Sequence, residues 1–96
     1  MTITVKVDFV GVLRKLAGKR VSLEFSETVS VKGVLRRLLD CYAPVLEEAL
    51  IDPELKDPRP NVIILVNKQE ISVLDGLETN VGDGDRLVLI PVSHGG

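Results

Sequence analysis

One amphipathic helix pattern, in a chain otherwise patterned for strands, restricts the possible folds more than any other feature. Residues 30–42 carry apolar side chains at helical spacing, and Ser30 stands where its hydroxyl can cap the first turn. The apolar positions are Val31, Val34, Leu35, Leu38, Leu39 and Tyr42. Because the charged residues fall on the opposite side, the helix has a single apolar face, which we expect to pack across a sheet.

Strand patterns lie on both sides of this helix in the chain. Residues 3–9 and 21–25 alternate with period two and are predicted to pair antiparallel, while residues 62–66 are continuously apolar and predict a buried central strand. The last strand is predicted over residues 87–92. The fold class is therefore α+β: a mixed sheet of four to five strands with one main helix packed across it. The helix should face Val5, Val7, Leu23 and Leu65.

Shorter segments connect these elements. A helical turn is expected over residues 12–17, ended by Gly18, and a second one over residues 45–51. Residues 52–60 contain three prolines and alternating charges, which is typical of a surface loop. Asn67 and Lys68 are predicted to turn the chain back towards Ile71, because Asn tolerates the left-handed conformation of a tight hairpin.

Composition excludes several function classes. The 96 residues make one small domain, and only 3% are aromatic, too few for a base-stacking surface. Twelve basic against fourteen acidic residues leave no basic excess, so neither a nucleic acid nor a membrane is an expected direct partner. A single cysteine favours a reducing compartment. The longest aliphatic run, residues 62–66, is far below the roughly 20 residues of a membrane span, so a cytoplasmic location is expected.

No catalytic or metal-binding set is apparent in the sequence. Cys41 and His94 fall short of the four ligands of a zinc site, and Cys41 is interpreted as a small buried or half-buried hydrophobe rather than a reactive thiol. The glycines at 82 and 84 precede a strand, whereas a phosphate loop must precede a helix. Arg36 and Arg37 are typical of a solvated helix face.

The final residues, Gly95 and Gly96, are the remaining candidate site. They can be a frayed end, or they can be a reactive carboxylate on a thin arm that enters a narrow channel because it carries no side chains. The α-carboxylate is ionised at neutral pH and can attack an activated phosphate of ATP, forming an acyl-adenylate. Because the carboxylate alone is inert, another protein must supply that chemistry. We expect Ser93, His94, Gly95 and Gly96 to form a flexible tail on a domain that spans residues 1–96.

The order of these motifs resembles the β-grasp sulfur carriers of the MoaD/ThiS family and their ubiquitin-like relatives. Residues 9–19 and 21–23 resemble the family's first hairpin, residues 30–35 its helix start, and residues 64–68 its central strand and turn. Residues 83–85, 87–91 and 95–96 resemble its closing strand and tail. Ile90 replaces a common aromatic, Val92 a frequent second proline, and Lys68 a common glycine. The segment of residues 52–60 is more similar to that of the archaeal small ubiquitin-like modifiers.

The resemblance implies a carrier that binds no cofactor itself and is not an enzyme. An adenylating enzyme of the ubiquitin-activating type would use ATP and magnesium to activate Gly96, and a persulfide donor would convert it to a thiocarboxylate. Ile90, Pro91 and Val92 would contact partner proteins beside a tail formed by Ser93, His94 and Gly95.

Three roles follow from the resemblance. The first is sulfur carriage, with the small subunit of molybdopterin synthase, paired with that enzyme's large subunit, as the leading candidate and thiamine or tRNA thiolation as alternatives. The second is protein modification, in which Gly96 is joined to lysines of target proteins. The third is a β-grasp binding module in which the two glycines have no function.

Overall fold

The computed structural model describes residues 2–42 and 44–92. Seven strands and three α-helices follow one another within these residues. They are β1 Ile3–Phe9, α1 Val12–Ala17, β2 Arg20–Phe25, β3 Val29–Ser30, α2 Val31–Tyr42, α3 Val45–Leu50, β4 Val62–Val66, β5 Gln69–Glu70, β6 Asn80–Val81 and β7 Arg86–Pro91. Two 3₁₀ turns, Ile71–Val73 and Gly76–Glu78, lie between β5 and β6. No helix among the described residues is long and apolar enough to cross a membrane.

The main sheet is mixed and has five strands in the order β2-β1-β7-β4-β5. β1 and β7 run parallel, while the pairs β1–β2, β4–β7 and β4–β5 are antiparallel. The two outer hairpins therefore contribute neighbouring strands, and the last strand, β7, lies at the centre. This confirms the predicted mixed sheet with one main helix across it.

The helix α2 covers one face of this sheet with the residues that its pattern predicts. Val31, Val34, Leu35 and Leu38 are buried, each 4% exposed or less. Its start is fixed by Ser30, whose Oγ accepts a hydrogen bond of 3.1 Å from the backbone N–H of Gly33. The predicted N-cap and the predicted apolar face are thus both confirmed.

The prediction of residues 62–66 as a buried central strand is wrong in position, in burial and in register. β7 lies at the centre with β4 beside it, and one face of β4 is accessible, with Ile63 40% exposed. Val62, Ile64 and Val66 are buried against the helix side, whereas Ile63 and Leu65 point to the opposite face. Leu65 therefore does not face α2, and its neighbour Ile64 does. Continuous apolar sequence gives no register, and a shift of one residue exchanges the faces of a strand.

A two-stranded ladder was not predicted from the sequence. β3 and β6 pair antiparallel, with Val29 opposite Val81 and Ser30 opposite Asn80. Val81 is fully buried, and the backbone N–H of Val31 donates to the carbonyl of Thr79 at 2.9 Å. This ladder ties the irregular segment after β5 to the first residues of α2. Strands of two residues are too short to show a period, so the sequence contains no signal for them.

Tight packing around this ladder makes Gly33 sensitive to substitution. A Cβ at Gly33 would lie 2.4 Å from Cγ2 of Val29, a β-branched side chain with little rotamer freedom. We expect Gly33→Ala to destabilise the fold by about 1–3 kcal/mol through overpacking, although alanine favours helices over glycine by about 1 kcal/mol. The midpoint of urea unfolding measures this loss. In a Val29→Ala background the clash is removed, so adding Gly33→Ala should increase stability because alanine favours the helix. An increase in stability for Gly33→Ala in the wild-type background would contradict the packing argument.

Candidate functional site

The end of β7 is held on both of its sides. On one side the backbone N–H of Val10 donates to the carbonyl of Leu89 at 3.2 Å. On the other side the N–H of Val92, the last described residue, donates to the carbonyl of Asn61 at 2.9 Å. Whatever follows Val92 in the chain therefore begins from a fixed point at the end of the central strand.

Gly11 shapes the surface beside this point. Its backbone has φ +62° and ψ −136°, which side-chain-bearing residues rarely adopt, and a Cβ there would lie 3.2 Å from Cγ of Pro91. The glycine thus lets the start of α1 approach the end of β7 closely. No signal in the sequence marks Gly11 as part of the site, because the contact joins residues 80 positions apart.

The predicted partner-binding residues Ile90, Pro91 and Val92 are all half-buried. Ile90 lies on the face of the sheet that points away from α2, opposite Ile63 across the β4–β7 pair. Each of the three retains some accessible surface, which is the geometry that was expected of them. Their role in binding a partner stays a prediction.

Ile90 belongs to a larger apolar surface on this face, which we call the apolar strip. It comprises Ile63 and Leu65 on β4 together with Val88 and Ile90 on β7. Ile63 is 40% exposed and the other three are half-buried. Their cross-strand pairing, Ile63 with Ile90 and Leu65 with Val88, makes the strip continuous. It reaches the end of β7, directly before the residues predicted to form the tail.

A cationic end adjoins the apolar strip at the start of β7. Lys6, Lys68 and Arg86 line a depression of about 500 Å³ together with Asp8 and Val88. Arg86 precedes Pro91 by five residues, about 16 Å along a strand, so the charges lie far from the exit of the chain. The face as a whole therefore has an apolar half near the end of β7 and a positively charged half away from it.

The turn residue Asn67 holds this cationic end in place. Asn67 and Lys68 have φ angles of +48° and +74°, which confirms the predicted tight hairpin turn. The side-chain oxygen of Asn67 accepts from the N–H of Arg86 at 3.0 Å, and its Nδ2 donates to Oδ1 of Asp85 at 2.9 Å. The β4–β5 turn and the start of β7 are thereby fixed to each other.

Asp8 partly neutralises the cations on this face. The guanidinium of Arg20 donates to its carboxylate, and Nε of Arg86 lies 3.9 Å from Oδ2. The hydrogen bond from Arg20, supported by the charges of Arg20, Arg86 and Lys19, holds the pKa of Asp8 below its usual value. At neutral pH the carboxylate is ionised, and Lys6 and Lys68 remain the less compensated cations of the face.

This lowered pKa predicts a pH dependence of stability. Because the pKa of Asp8 is lower in the folded than in the unfolded chain, the ion pair stabilises the fold above about pH 4 and the contribution is lost as the pH falls through the folded value. The difference in urea midpoint between wild type and Asp8→Asn should be largest near neutral pH and shrink below about pH 4. The effect is small because the pair is solvent-accessible. A difference that stays constant down to pH 2 would contradict this assignment.

Several other predicted residues lie away from this site or outside the described part of the chain. Ser93, His94, Gly95 and Gly96 lie outside the described residues. Cys41 is exposed, so its interpretation as a buried or half-buried hydrophobe is wrong. Near the end of α2 the core contacts are made by Leu39 and Tyr42, which are half-buried, while Cys41 beside them is exposed.

The two arginines of α2 differ from each other. Arg36 is exposed, as predicted for a solvated helix face. Arg37 is also exposed but packs its guanidinium 4.4 Å from the ring centroid of Phe25 and donates to the carbonyl of Glu24 at 2.9 Å. It therefore covers the outer edge of β2 and is not simply solvated.

A mixed five-stranded sheet that grips one helix and closes on a central last strand defines a ubiquitin-like β-grasp protein. The model of the ThiS family matches residues 7–96 of the chain, which is nearly its whole length. The chain therefore belongs to the ThiS family, whose members are small ubiquitin-like carriers and modifiers rather than catalysts.

Individual relatives cover almost the entire chain. It is 32% identical to ubiquitin-related modifier 1 of Schizosaccharomyces pombe, over 96% of this chain and 98% of that protein. It is 30% identical to small archaeal modifier protein 3 of Haloferax volcanii, over 95% and 97% of the two chains. The solution structure of small archaeal modifier protein 1 from Methanosarcina acetivorans is 29% identical and superposes with a TM-score of 0.81, covering 100% of this chain and 99% of the other.

Proposed function

We propose that this protein is a ubiquitin-like carrier and modifier whose Gly96 carboxylate is activated by adenylation on a partner enzyme. The observation that carries the proposal is the apolar strip, which ends where β7 ends, in a chain whose family match runs through Gly96. The strip offers a partner a place to bind, and Val92, from which the sequence continues to Gly96, follows the strip directly at the end of β7.

The chemistry is acyl activation. A carboxylate oxygen of Gly96 attacks the α-phosphorus of ATP and displaces pyrophosphate, which leaves a mixed anhydride with AMP. ATP and magnesium are bound by the activating enzyme, and this chain contributes the nucleophile. Glycine at the last two positions leaves no side chain to obstruct the approach. The anhydride then reacts with a sulfur or nitrogen nucleophile, and AMP leaves.

The surface of the activating enzyme should complement the open face of the sheet. An apolar centre would cover the strip around Ile63 and Ile90, and carboxylates would meet the cations at Lys6, Lys68 and Arg86. Apolar contacts supply most of the affinity of such an interface, and charge complementarity fixes its orientation. Because the cations and the exit of the chain lie at opposite ends of the face, this orientation is unique.

Two fates of the adenylate are supported to different degrees. The relatives reported above are named as modifiers, which supports transfer of the Gly96 acyl group to a lysine amine of a target protein. Membership of the ThiS family supports attack by a persulfide, followed by reduction of the acyl disulfide by a second thiol, which leaves a thiocarboxylate on Gly96. Both fates require the same adenylate, so one chain can serve both.

The more specific role as the small subunit of molybdopterin synthase stays a prediction, as do thiamine and tRNA thiolation. The relatives from Schizosaccharomyces pombe, Haloferax volcanii and Methanosarcina acetivorans are named as modifiers, and these names do not favour molybdopterin as the acceptor. Reconstitution with a molybdopterin synthase large subunit and a thiocarboxylated form of this chain tests that role directly.

The intact mass of the protein isolated from its native host tests the proposal. Replacement of one oxygen by sulfur, with the change placed on Gly96 by fragmentation, indicates a thiocarboxylate. Target peptides that carry the C-terminal residues of this chain on a lysine indicate protein modification. If neither product is found in cells that contain the activating enzyme, both fates are contradicted and a binding module is favoured.

A further inference from the structure

A second surface lies on the helical side of the molecule, away from the apolar strip. A groove of about 270 Å³ runs between α2, α3, the loop of residues 52–60 and the second 3₁₀ turn. Leu39, Ile51 and Leu77 are half-buried along it and form an apolar floor. We call it the helical groove.

The rim of the helical groove is mainly cationic. Lys32, Arg36 and Lys56 are exposed along it, against one carboxylate, that of Glu47. An apolar floor with a positive rim fits an occupant that presents an apolar side chain next to a carboxylate.

The chain itself displays such a group. Leu55 is 68% exposed, and its neighbour Glu54 is exposed as well. Lys56 lines the helical groove, whereas Leu55 lies outside it, beside Asp57, Arg59 and Pro60. The backbone of Lys56 has φ +56°, and at this kink the chain passes from the exposed leucine to the lip of the groove.

The segment that carries Leu55 is held in one conformation. Oδ1 of Asp52 accepts from the N–H groups of Glu54 and Leu55, both at 2.9 Å. The N–H of Asp52 donates to the carbonyl of Asp57 at 3.0 Å, and the N–H of Lys56 donates to the carbonyl of Asp52 at 2.8 Å. An exposed leucine on a fixed loop loses little conformational entropy when it binds, which favours a role as an interface anchor.

We propose that the helical groove binds Leu55 of a second copy of this chain, which gives a symmetric dimer. Leu55 adjoins Lys56, which lines the groove, and under two-fold symmetry the leucine of each copy enters the groove of the other, so one arrangement makes both contacts. Glu54 of each copy then approaches the cations Lys32 and Arg36 of the other. The apolar strip and the end of β7 remain accessible, so the dimer is compatible with docking to an activating enzyme.

The interface is small, so the dimer is weak, with a dissociation constant on the order of 10⁻⁴ M. Sedimentation equilibrium of the full chain over a concentration series should therefore show a reversible monomer–dimer equilibrium. Leu55→Ser should weaken dimerisation at least about tenfold, because it removes both anchors at once. Val73→Ser is the matched control, since Val73 is 72% exposed and does not line the groove; it should leave the dissociation constant unchanged.

A charge exchange tests the orientation of the two copies. Glu54→Lys and Arg36→Glu should each weaken the dimer, and the double variant should recover most of the loss, because the opposite pair is then restored across the two-fold axis. A strictly monomeric wild type at millimolar concentration would overturn the proposal. So would a Leu55→Ser variant that dimerises as the wild type does, or growth into larger species, which indicates a head-to-tail contact. The Leu55→Ser variant should still form the thiocarboxylate at the wild-type level. A failure of the dimer proposal can therefore be distinguished from a failure of the proposed function.

Discussion

Deletion of Gly96 should abolish adenylation while the unfolding midpoint stays at its wild-type value. The proposed nucleophile is the carboxylate of Gly96, and the deletion moves the carboxylate back by one residue, about 3.5 Å in an extended chain. A displacement of that size removes the reacting oxygen from the α-phosphate, and misplacement by even 1 Å can cost about 10²-fold in rate. The buried core lies between Val5 and Leu89, so we expect the deletion to leave the unfolding midpoint near its wild-type value. ATP–pyrophosphate exchange with the cognate activating enzyme measures the effect.

Two further variants test whether the position of the terminal carboxylate determines the loss of activity. Adding one residue after Gly96 should also abolish exchange, because the acid is then displaced forwards. Gly82→Ala is a matched control, since a Cβ at that position would meet no atom within 4 Å, and it should exchange normally. Full exchange activity in the Gly96 deletion would show that the end of the chain is not the site of activation.

The fold was predictable because two of its main elements, β1 and α2, show a long period in the sequence. Strand β1 alternates over seven residues, and α2 carries one apolar face over three turns, capped at Ser30 as its hydroxyl predicts. The tight turn at Asn67 and Lys68 follows from the left-handed angles that Asn accepts. Patterns of this length leave few alternative arrangements, and the parallel pairing of β1 with β7 joins the two outer hairpins into one mixed sheet.

The surface of the site was less predictable because it depends on register and on contacts distant in sequence. In residues 62–66 every side chain is apolar, so the sequence does not distinguish Ile63 and Leu65, which form the strip, from their buried neighbours. Pairing with β7 decides the face: Ile63 lies opposite Ile90, and Leu65 lies opposite Val88. A comparison of these two strands for apolar residues in matching positions could have indicated the strip in advance.

The cations on the sheet face that points away from α2 were not predictable for a different reason. Lys6 belongs to β1, Lys68 to the turn after β4, and Arg86 to the start of β7, so they are dispersed along the sequence. Only the order of the strands brings them to one end of the sheet. Net charge is uninformative here, because a chain with a total of −2 can still present a local positive surface.

The largest expected effect on docking is that of a charge placed in the apolar strip. Ile63→Asp puts a carboxylate at the centre of the surface that we expect the activating enzyme to cover, where binding would remove it from water. Burying an unpaired charge is costly, so the KM for this chain in the exchange assay should rise at least about tenfold, with little change in kcat. Because Ile63 is already 40% exposed, the fold should tolerate the change.

A matched variant distinguishes docking from a general effect of added charge. Val73→Asp adds the same carboxylate at a residue that is 72% exposed and lies in a 3₁₀ turn outside the strip. It should leave KM near the wild-type value, so that only the position of the charge differs between the two variants. Equal KM values for Ile63→Asp and wild type would show that the enzyme does not bind this face, and the partner would then have to recognise the residues at the end of β7 without it. A fall in kcat with KM unchanged would likewise contradict docking, because it would place the effect in the chemical step instead of in binding.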